Sequence, residues 1–204
     1  MKSAMVLITY TPGPEARPEV YEPWLRGEDN PTFNRVAGIG EYSNWKLRSP
    51  GKLGCTHFDF LGLATPDDLE RVWFSEELDK FRAHWVERWG YGSAGPGPVS
   101  AYATLFIRDG DPIRARGRFV RIELDPADRS TGERWEAVAA VRKHWAVGRA
   151  PSGQPWRMRI AEVNPLGCNA IALTFQSRAP DGPIAAECIA APSISPAKGH
   201  SYEY

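Results

Sequence analysis

The spacing of apolar and polar residues predicts a β-α-β-β-α-β order in the first half of the chain. Residues 5–10 have the pattern of a strand, and the turn-forming sequence Thr-Pro-Gly-Pro at 11–14 ends it. Further strands are predicted at 39–47, 55–63 and 99–107. Shorter helical segments are predicted at 18–25 and 32–36, separated by an interruption at 26–31 and ending at Gly38.

One long helix is predicted from Thr65 to Trp89. Thr65, Pro66 and two following aspartates form a typical helix start, with a capping hydroxyl, an early proline and acidic residues in the first turn. Six apolar residues then share one face: Leu69, Val72, Trp73, Leu78, Phe81 and Trp85. The resulting element order is that of a ferredoxin-like unit.

The second half of the chain repeats part of this plan. The string Met5-Val-Leu-Ile-Thr-Tyr-Thr-Pro12 aligns with Phe119-Val-Arg-Ile-Glu-Leu-Asp-Pro126, and Leu53-Gly-Cys-Thr56 aligns with Leu166-Gly-Cys-Asn169. A helix is predicted at 131–147, and strands at 156–163, 169–177 and 187–194. The prediction is an α+β fold in which two tandem ferredoxin-like units, 1–110 and 115–204, form one fused α/β barrel with antiparallel sheets. The second unit lacks its long second helix.

The repeat also predicts which strand residues face the barrel interior. A ferredoxin-like unit leaves one sheet face bare, and two units can bury these faces against each other. Val6 and Ile8 match Val120 and Ile122, so these four residues are expected beneath helices. Phe58 and Phe60 are likewise expected to face helices. Leu7 and Thr9 are then expected to face inward.

His57 and Asp59 are predicted to face inward as well, together with Arg121 and Glu123. Unpaired charge inside a barrel is costly, so these four residues are either paired or functional. In the catalytic hypothesis, His57 is oriented by Asp59 and moves a proton on the substrate. Arg121 stabilises developing negative charge, and Glu123 is a second acid or base or the partner of Arg121. In the alternative, the four residues form a structural salt-bridge network.

Alanines at 170 and 172 in the second copy, opposite the predicted catalytic group, leave space for a ligand. The tryptophan content, eight residues, fits an aromatic cavity as well as a core. Asp29 either reaches the mouth of this pocket or belongs to a plain capping turn. The predicted substrate-binding residues are Thr9, Trp24, Asp29, Tyr42, Trp45 and Arg159.

Composition argues against several other classes of protein. The chain has 25 acidic and 25 basic residues, so no global field favours nucleic acid. It has no apolar run of the roughly 20 residues that span a bilayer and no signal-peptide pattern, which makes the cytoplasm the expected location and a membrane partner unexpected. The three cysteines fit neither a disulfide framework nor a zinc motif. No metal is expected, and the absence of a Gly-rich phosphate loop gives no support for a nucleotide or flavin cofactor.

The string Trp24-Leu-Arg-Gly-Glu-Asp29, followed by Val36-Ala-Gly-Ile39 and Tyr42-Ser-Asn-Trp45, resembles the EthD-like and REDY-like members of the dimeric α/β-barrel superfamily. Here one chain would supply both units. The Arg-Glu-Asp-Tyr string of that group is altered, since Gly27 intervenes and Asn30 follows Asp29. The resemblance implies a small apolar or aromatic ligand in the barrel, a role in the metabolism of aromatic compounds, and chemistry that often needs no cofactor.

Three functions follow as hypotheses. The first is a cofactor-independent enzyme, of the lyase, decarboxylase, isomerase or cyclase type, that performs acid–base chemistry on a small aromatic or polyketide-like carbonyl compound. The second is a non-catalytic binding or carrier protein for a small apolar aromatic ligand. The third is a haem-linked oxidoreductase. Exposed strand edges would also allow two chains to pair as a homodimer.

Overall fold

The computed structural model shows an α+β protein in which one large antiparallel sheet carries helices on one face. The described residues are 2–49, 55–65, 67–73, 75–90, 101–109, 111–126, 141–148, 157–161, 168–181, 184–192 and 194.

Nine strands form the sheet in the described part of the chain. They are β1 (Lys2–Tyr10), β2 (Ile39–Leu47), β3 (His57–Leu63), β4 (Ala101–Asp109), β5 (Phe119–Pro126), β6 (Val141–Gly148), β7 (Arg157–Ala161), β8 (Cys168–Gln176) and β9 (Ala185–Ala190). Their order in space is β7-β6-β4-β1-β3-β2-β9-β5-β8, and every neighbouring pair is antiparallel. Because β6 and β8 contact each other from near opposite ends of this order, the sheet is curled.

The described helical segments all lie in the first half of the chain. They are α1 (Pro18–Trp24), a π-helical turn (Leu25–Asp29), α2 (Asn30–Arg35), α3 (Asp68–Trp73) and α4 (Glu76–Trp89). None of them is long and apolar enough to cross a membrane.

The strand predictions for the first half are confirmed. Strand β2 has the predicted bounds, and most ends of the other strands lie within two residues of the prediction. The single helix predicted at 65–89 is wrong, because the described residues form two helices, α3 and α4. Ser75 has an extended backbone and its hydroxyl accepts a hydrogen bond from the Leu78 amide at 3.4 Å, so it caps a new helix. The interruption predicted at 26–31 is also wrong, since the chain stays helical through a wider turn.

The helix predicted at 131–147 is wrong where the structure describes it, because Val141–Gly148 is strand β6. Residues 131–140 lie outside the described residues. Apolar residues four apart, such as Val141 and Trp145, share one face of a helix and equally one face of a strand, so their spacing does not separate the two. Pairing with β4 and β7 decides for the strand, and the pairing with β4 is long-range.

The second half does not repeat the whole strand pattern of the first half. In space, β9-β5-β8 has the same relative order as β4-β1-β3. The predicted strand 156–163 corresponds to β7, but β7 pairs with β6 at the far end of the sheet and not with β8.

Two apolar cores lie on opposite faces of the strands β1 to β3. The helix-side core contains Val6 and Ile8 together with aromatic residues of the helices, including Tyr21, Trp24 and Trp73. The inner core lies within the curl of the sheet and joins the first strands to β5 and β9; it includes Leu7, Trp45, Phe58, Phe60, Val120 and Ile122.

The facing predicted for β3 is therefore wrong, although that of Val6 and Ile8 is confirmed. In β1–β3 pairing, Ile8 lies opposite Asp59 and Leu7 lies opposite Phe60. Residues directly opposite each other share a face. Asp59 and His57 consequently lie on the helix side, whereas Phe58 and Phe60 are in the inner core.

The facing predicted for β5 is wrong as well. Val120 and Ile122 belong to the inner core and not to a surface beneath helices. Their neighbours Arg121 and Glu123 alternate with them and therefore point away from the interior.

Gly38 should tolerate substitution poorly. Its φ of 100° is unfavourable for other residues, and an added Cβ would stand 2.9 Å from Val72 Cγ2 and also meet Arg71. Gly38→Ala is expected to lower the free energy of unfolding by about 1–3 kcal/mol, measured by urea denaturation.

Gly27→Ala is the matched control, because nothing lies within 4 Å of its added Cβ. This variant should be neutral or stabilised by up to about 1 kcal/mol, since alanine favours helical backbone. Equal changes in the free energy of unfolding for Gly38→Ala and Gly27→Ala would contradict the claim that the backbone and contacts of Gly38 require glycine.

Candidate active site

Asp59 lies near the middle of the helix-side face and is 4% exposed. Three neutral groups donate hydrogen bonds to its carboxyl: the Tyr42 hydroxyl at 2.6 Å, the Asn44 amide at 3.0 Å and the Tyr10 hydroxyl at 3.2 Å. Tyr10 lies on β1 and the other two donors lie on β2, the two strands that flank β3. The strand order thus places donors on both sides of this carboxyl.

A second carboxyl, that of Asp29, is buried beside the first and is 3% exposed. The Asn44 Nδ2 atom donates to Asp29 Oδ2 at 2.7 Å as well as to Asp59 Oδ1. The same nitrogen also contacts the Tyr42 hydroxyl at 3.2 Å, so its two hydrogens serve three acceptors. Asn44 therefore links the two acids directly.

The π-helical turn positions Asp29. The Asn30 amide donates to the Leu25 carbonyl, five residues back, which widens the helix at this point. Positions 21, 25, 29 and 33 would drift by about 120° around a regular α-helix. The wider turn offsets that drift, and all four positions are buried. Pro31 favours this local structure because it has no N–H to donate to the Gly27 carbonyl.

Two further asparagines fix the orientation of Asn44. Asn30 Nδ2 donates to Asn44 Oδ1 at 2.9 Å, which directs the Asn44 NH₂ group toward the acids. Asn34 in turn is held by the backbone of Tyr42. Its Oδ1 atom accepts from the Tyr42 N–H at 2.8 Å, and its Nδ2 atom donates to the Tyr42 carbonyl at 2.9 Å. The helical segment and β2 are locked together at the site.

Burial without a cationic partner governs the titration of both acids. Among the described residues no arginine, lysine or histidine forms an ion pair with Asp29 or Asp59. Burial raises the pKa of Asp29 to about 7, against the opposing effect of its hydrogen bonds from Asn44 and Tyr42. Burial, and then repulsion by Asp29, also raises the pKa of Asp59. Such a pair retains a proton near neutral pH.

The two acids line a cavity of about 70 Å³ between the sheet and α4. Because one water needs roughly 10–15 Å³ of such space, the cavity has room for a small ligand group. Most of its wall residues are aliphatic or aromatic, and the charged or ionisable ones are two tyrosines, two aspartates and one arginine. The lining residues are Ile8, Tyr10, Asp29, Phe33, Tyr42, Asp59, Trp73, Phe81, Arg82, Trp85 and Val86.

A chain of donors connects α4 to Asp59. Trp85 Nε1 donates to the Tyr21 hydroxyl at 3.0 Å, Tyr21 donates to Tyr10 at 3.4 Å, and Tyr10 donates to Asp59. Burial raises the pKa of Tyr21 and Tyr10 well above the usual range, so both stay protonated as donors. The carboxyl is thereby coupled to the far wall of the cavity.

His57 does not form the predicted pair with Asp59. Its Nδ1 atom is hydrogen-bonded to the Thr56 hydroxyl at 2.9 Å, and its ring stacks on Tyr10, the residue opposite it in β1. Burial, and then the charge of Lys46, lowers the pKa of His57 to about 4, so the ring is neutral at pH 7. His57 does not line the cavity, and the predicted orientation by Asp59 is wrong.

Arg121 and Glu123 lie elsewhere. They form an ion pair with each other, and their side chains are 43% and 41% exposed. The four residues His57, Asp59, Arg121 and Glu123 are consequently not assembled into one group, either as a catalytic site or as a shared salt-bridge network.

The predicted substrate-binding residues divide into those in the cavity and those outside it. Tyr42 and Asp29 line it. Trp24 packs against Phe81, a wall residue, with ring centroids 5.7 Å apart. Thr9, opposite Phe58 in β3, and Trp45, stacked on Phe58, lie on the other face of the sheet. The side chain of Arg159 lies outside the described residues.

Several cavity residues were not singled out from the sequence. Tyr10 lies two positions after Ile8 and so shares its face, a signal that the predicted strand already contained. Arg82 follows Leu78 by four positions in α4, which places a charge on the apolar face of that helix. A charged residue on the apolar face of a predicted helix is the sequence signal that could have identified Arg82.

Within the described part of the chain, no group of three or more histidine, cysteine, aspartate or glutamate side chains is arranged to hold a metal ion. Comparison with protein-family models, with curated proteins and with solved structures finds no significant match. The function must therefore be inferred from the geometry of the cavity.

The stability of the protein should depend on the ionisation of Asp29. The pKa of this group is raised on folding, so its destabilising effect is absent below about pH 4 and grows as the pH rises toward 7. Asp29→Asn removes that effect. Relative to the wild type, the variant should gain about 2–3 kcal/mol between pH 5 and pH 8, measured by urea unfolding at both values.

The exposed Asp67 supplies the control, since Asp67→Asn changes the same chemical group at the surface. Its stability relative to the wild type should be nearly the same at both pH values. If the free energy of unfolding of Asp29→Asn relative to the wild type does not vary with pH, then folding does not raise the pKa of Asp29.

Proposed function

We propose that this protein is a cofactor-independent enzyme that performs acid–base chemistry on a small aromatic or polyketide-like carbonyl compound. The observation that carries the proposal is the buried carboxyl pair, Asp29 and Asp59, joined by Asn44 and facing an aromatic-walled cavity. Burial of two acids without a cation destabilises the fold, which argues for a role in function.

The proposed step is proton transfer beside a carbonyl group. The ionised member of the pair, assigned as Asp29, takes a proton from the carbon next to the carbonyl, and the electron pair of that C–H bond moves to the carbonyl oxygen. A pKa of about 7 suits a base that must also release its proton near neutral pH. Return of the proton to another carbon completes an isomerisation.

The oxygen of the resulting enolate needs a donor. Asp59, kept protonated by burial, supplies an O–H group for that purpose, and the Tyr42 hydroxyl, which donates to Asp59, holds that carboxyl in position. In this scheme Asp59 stabilises the charge that develops, a task that the sequence suggests for Arg121. Because the walls are mostly aromatic, they exclude water and favour a flat apolar substrate.

A non-catalytic binding protein is the second proposal, and one observation favours it. Both oxygens of Asp59 already accept hydrogen bonds within the protein, so the pair is satisfied without a substrate. In that function the cavity would hold a small aromatic ligand and the acids would only orient it.

We also infer that the two halves of the chain are related, as a fused pair of ferredoxin-like units. Support comes from the matched strings 5–12 and 119–126, which include most of β1 and all of β5, and from the common relative order of β4-β1-β3 and β9-β5-β8. The apolar face of β5 buried against β3 and β2 in the inner core is what such a pair of units requires.

Hydrogen–deuterium exchange at carbon tests the enzymatic proposal without knowledge of the product. Aryl methyl ketones, aryl 1,3-diketones and aromatic keto acids are incubated with the protein in D₂O, and loss of the C–H signal beside the carbonyl is followed by NMR. The wild type should accelerate exchange for one of these classes. Asp29→Asn and Asp59→Asn should each lose about 100-fold or more, as removal of a general acid or base does.

His57→Gln and Asp67→Asn are the controls, and each should retain exchange within about threefold of the wild type. Thermal shift measured on the same compounds separates the two proposals, because ligand binding stabilises the fold whether or not exchange occurs. Binding without exchange would support the binding protein. Exchange that depends on His57 and not on the aspartates would overturn the assignment of the pair.

A further inference from the structure

Arg82 is a cation in the cavity wall that the proton-transfer scheme does not use. Its side chain is 13% exposed, and its Nη1 atom is fully buried with no hydrogen-bond partner among the described residues. Buried guanidinium nitrogens are ordinarily paired, because an unpaired N–H group has lost its water without replacement. Within the described residues, the Nη1 group of Arg82 is therefore a donor that lacks an acceptor, on a side chain that lines the cavity.

The rest of the guanidinium is held in place. Its Nη2 atom pairs with Asp79 Oδ1 one turn earlier in α4, and its central carbon stands 4.9 Å from the centre of the Trp73 ring. Asp79 is 53% exposed, so this ion pair lies toward solvent. The group is thus fixed by Asp79 and Trp73, while Nη1 has no acceptor in the part of the chain that the structure describes.

The neighbouring acids do not occupy that position. Asp29 and Asp59 line the same cavity, but the hydrogen bonds they accept come from Asn44, Tyr10 and Tyr42. Burial keeps the pair partly protonated, which reduces its repulsion of an incoming anion. The ligand chemistry that best suits a free guanidinium nitrogen beside aromatic walls is a carboxylate on a small flat molecule.

We propose that Arg82 binds the carboxylate of the ligand, so that the substrate class is a small aromatic carbonyl acid. The carboxylate accepts from Arg82 Nη1, the ring lies among the aromatic wall residues, and the carbonyl end is directed toward Asp29 and Asp59. The orientation of the carbonyl end rests on the proposed function; the carboxylate position itself rests only on the geometry of Arg82.

Benzoate and benzamide test the carboxylate position, because they have nearly the same shape and differ in charge. Dissociation constants are measured at pH 7 by isothermal titration calorimetry or ligand-observed NMR. The wild type should bind benzoate at least tenfold more tightly than benzamide. Arg82→Met should weaken benzoate binding at least tenfold and leave benzamide binding within about twofold.

Arg82→Lys and Asp79→Asn extend the test in case Arg82→Met folds poorly. Lysine keeps the positive charge but lacks the planar guanidinium, so the benzoate affinity of Arg82→Lys should lie between those of the wild type and Arg82→Met. Asp79→Asn keeps the charge of Arg82 but removes the carboxylate that holds its Nη2 group, so benzoate affinity should fall by less than in Arg82→Met. Equal binding of benzoate and benzamide by the wild type, or no binding of either at 10 mM or so, overturns the proposal without any variant.

The failures of the two proposals are distinguishable. A preference for benzoate that depends on Arg82, without any exchange of keto-acid hydrogens, would retain the carboxylate site and reject the enzyme. Exchange that depends on Asp29 and Asp59 for ketones, with no preference for benzoate, would retain the enzyme and reject the carboxylate site.

Discussion

Burial of the Asp29 and Asp59 carboxyls without a cation is the constraint on which the rest of this site depends. A buried carboxylate that lacks hydrogen bonds costs several kcal/mol, so the donors around the pair stabilise the fold. The donors come from β1 and β2, and the position of Asp29 comes from the π-helical turn. The site therefore forms only when three separate segments meet in one register.

That register also determines which face of the sheet carries the acids. The β1–β3 pairing places Asp59 opposite Ile8, within the helix-side core, while the inner core on the other face is filled by phenylalanine and tryptophan rings. The sheet cannot shift by one residue without moving Asp59 among those rings. Apolar packing on the inner face thus holds the polar groups on the helix face.

Local patterns predicted the strands of the first half and, apart from β6, those of the second half. Alternation within β1, β2 and β3 was visible in the sequence, and Asp59, Tyr42 and Asp29 were all predicted as functional residues. What the patterns could not supply was the pairing between strands. The alternation within one strand predicts facing for that strand alone, so the sequence puts Ile8 and Asp59 on opposite faces although they pair directly.

The same limit accounts for the partner wrongly given to Asp59. A histidine two residues away on a strand shares its face, and the sequence therefore favoured His57. The structure instead places Tyr10 of the neighbouring strand in contact with both residues. The wrong prediction for β6 has a related cause, since its pairing with β4 joins residues that are distant in sequence.

The wide turn at Leu25–Asp29 has a consequence for which changes in chain length this site can survive in descendants of the gene. A π-helical turn amounts to one residue added to a regular helix, so removing a single residue there would restore α-helical geometry. Asp29 would then follow Tyr21 by seven positions instead of eight, and seven α-helical residues complete about two turns, so its carboxyl would still face the sheet. A three-nucleotide deletion within the turn would therefore narrow the helix and leave both carboxyls in the cavity.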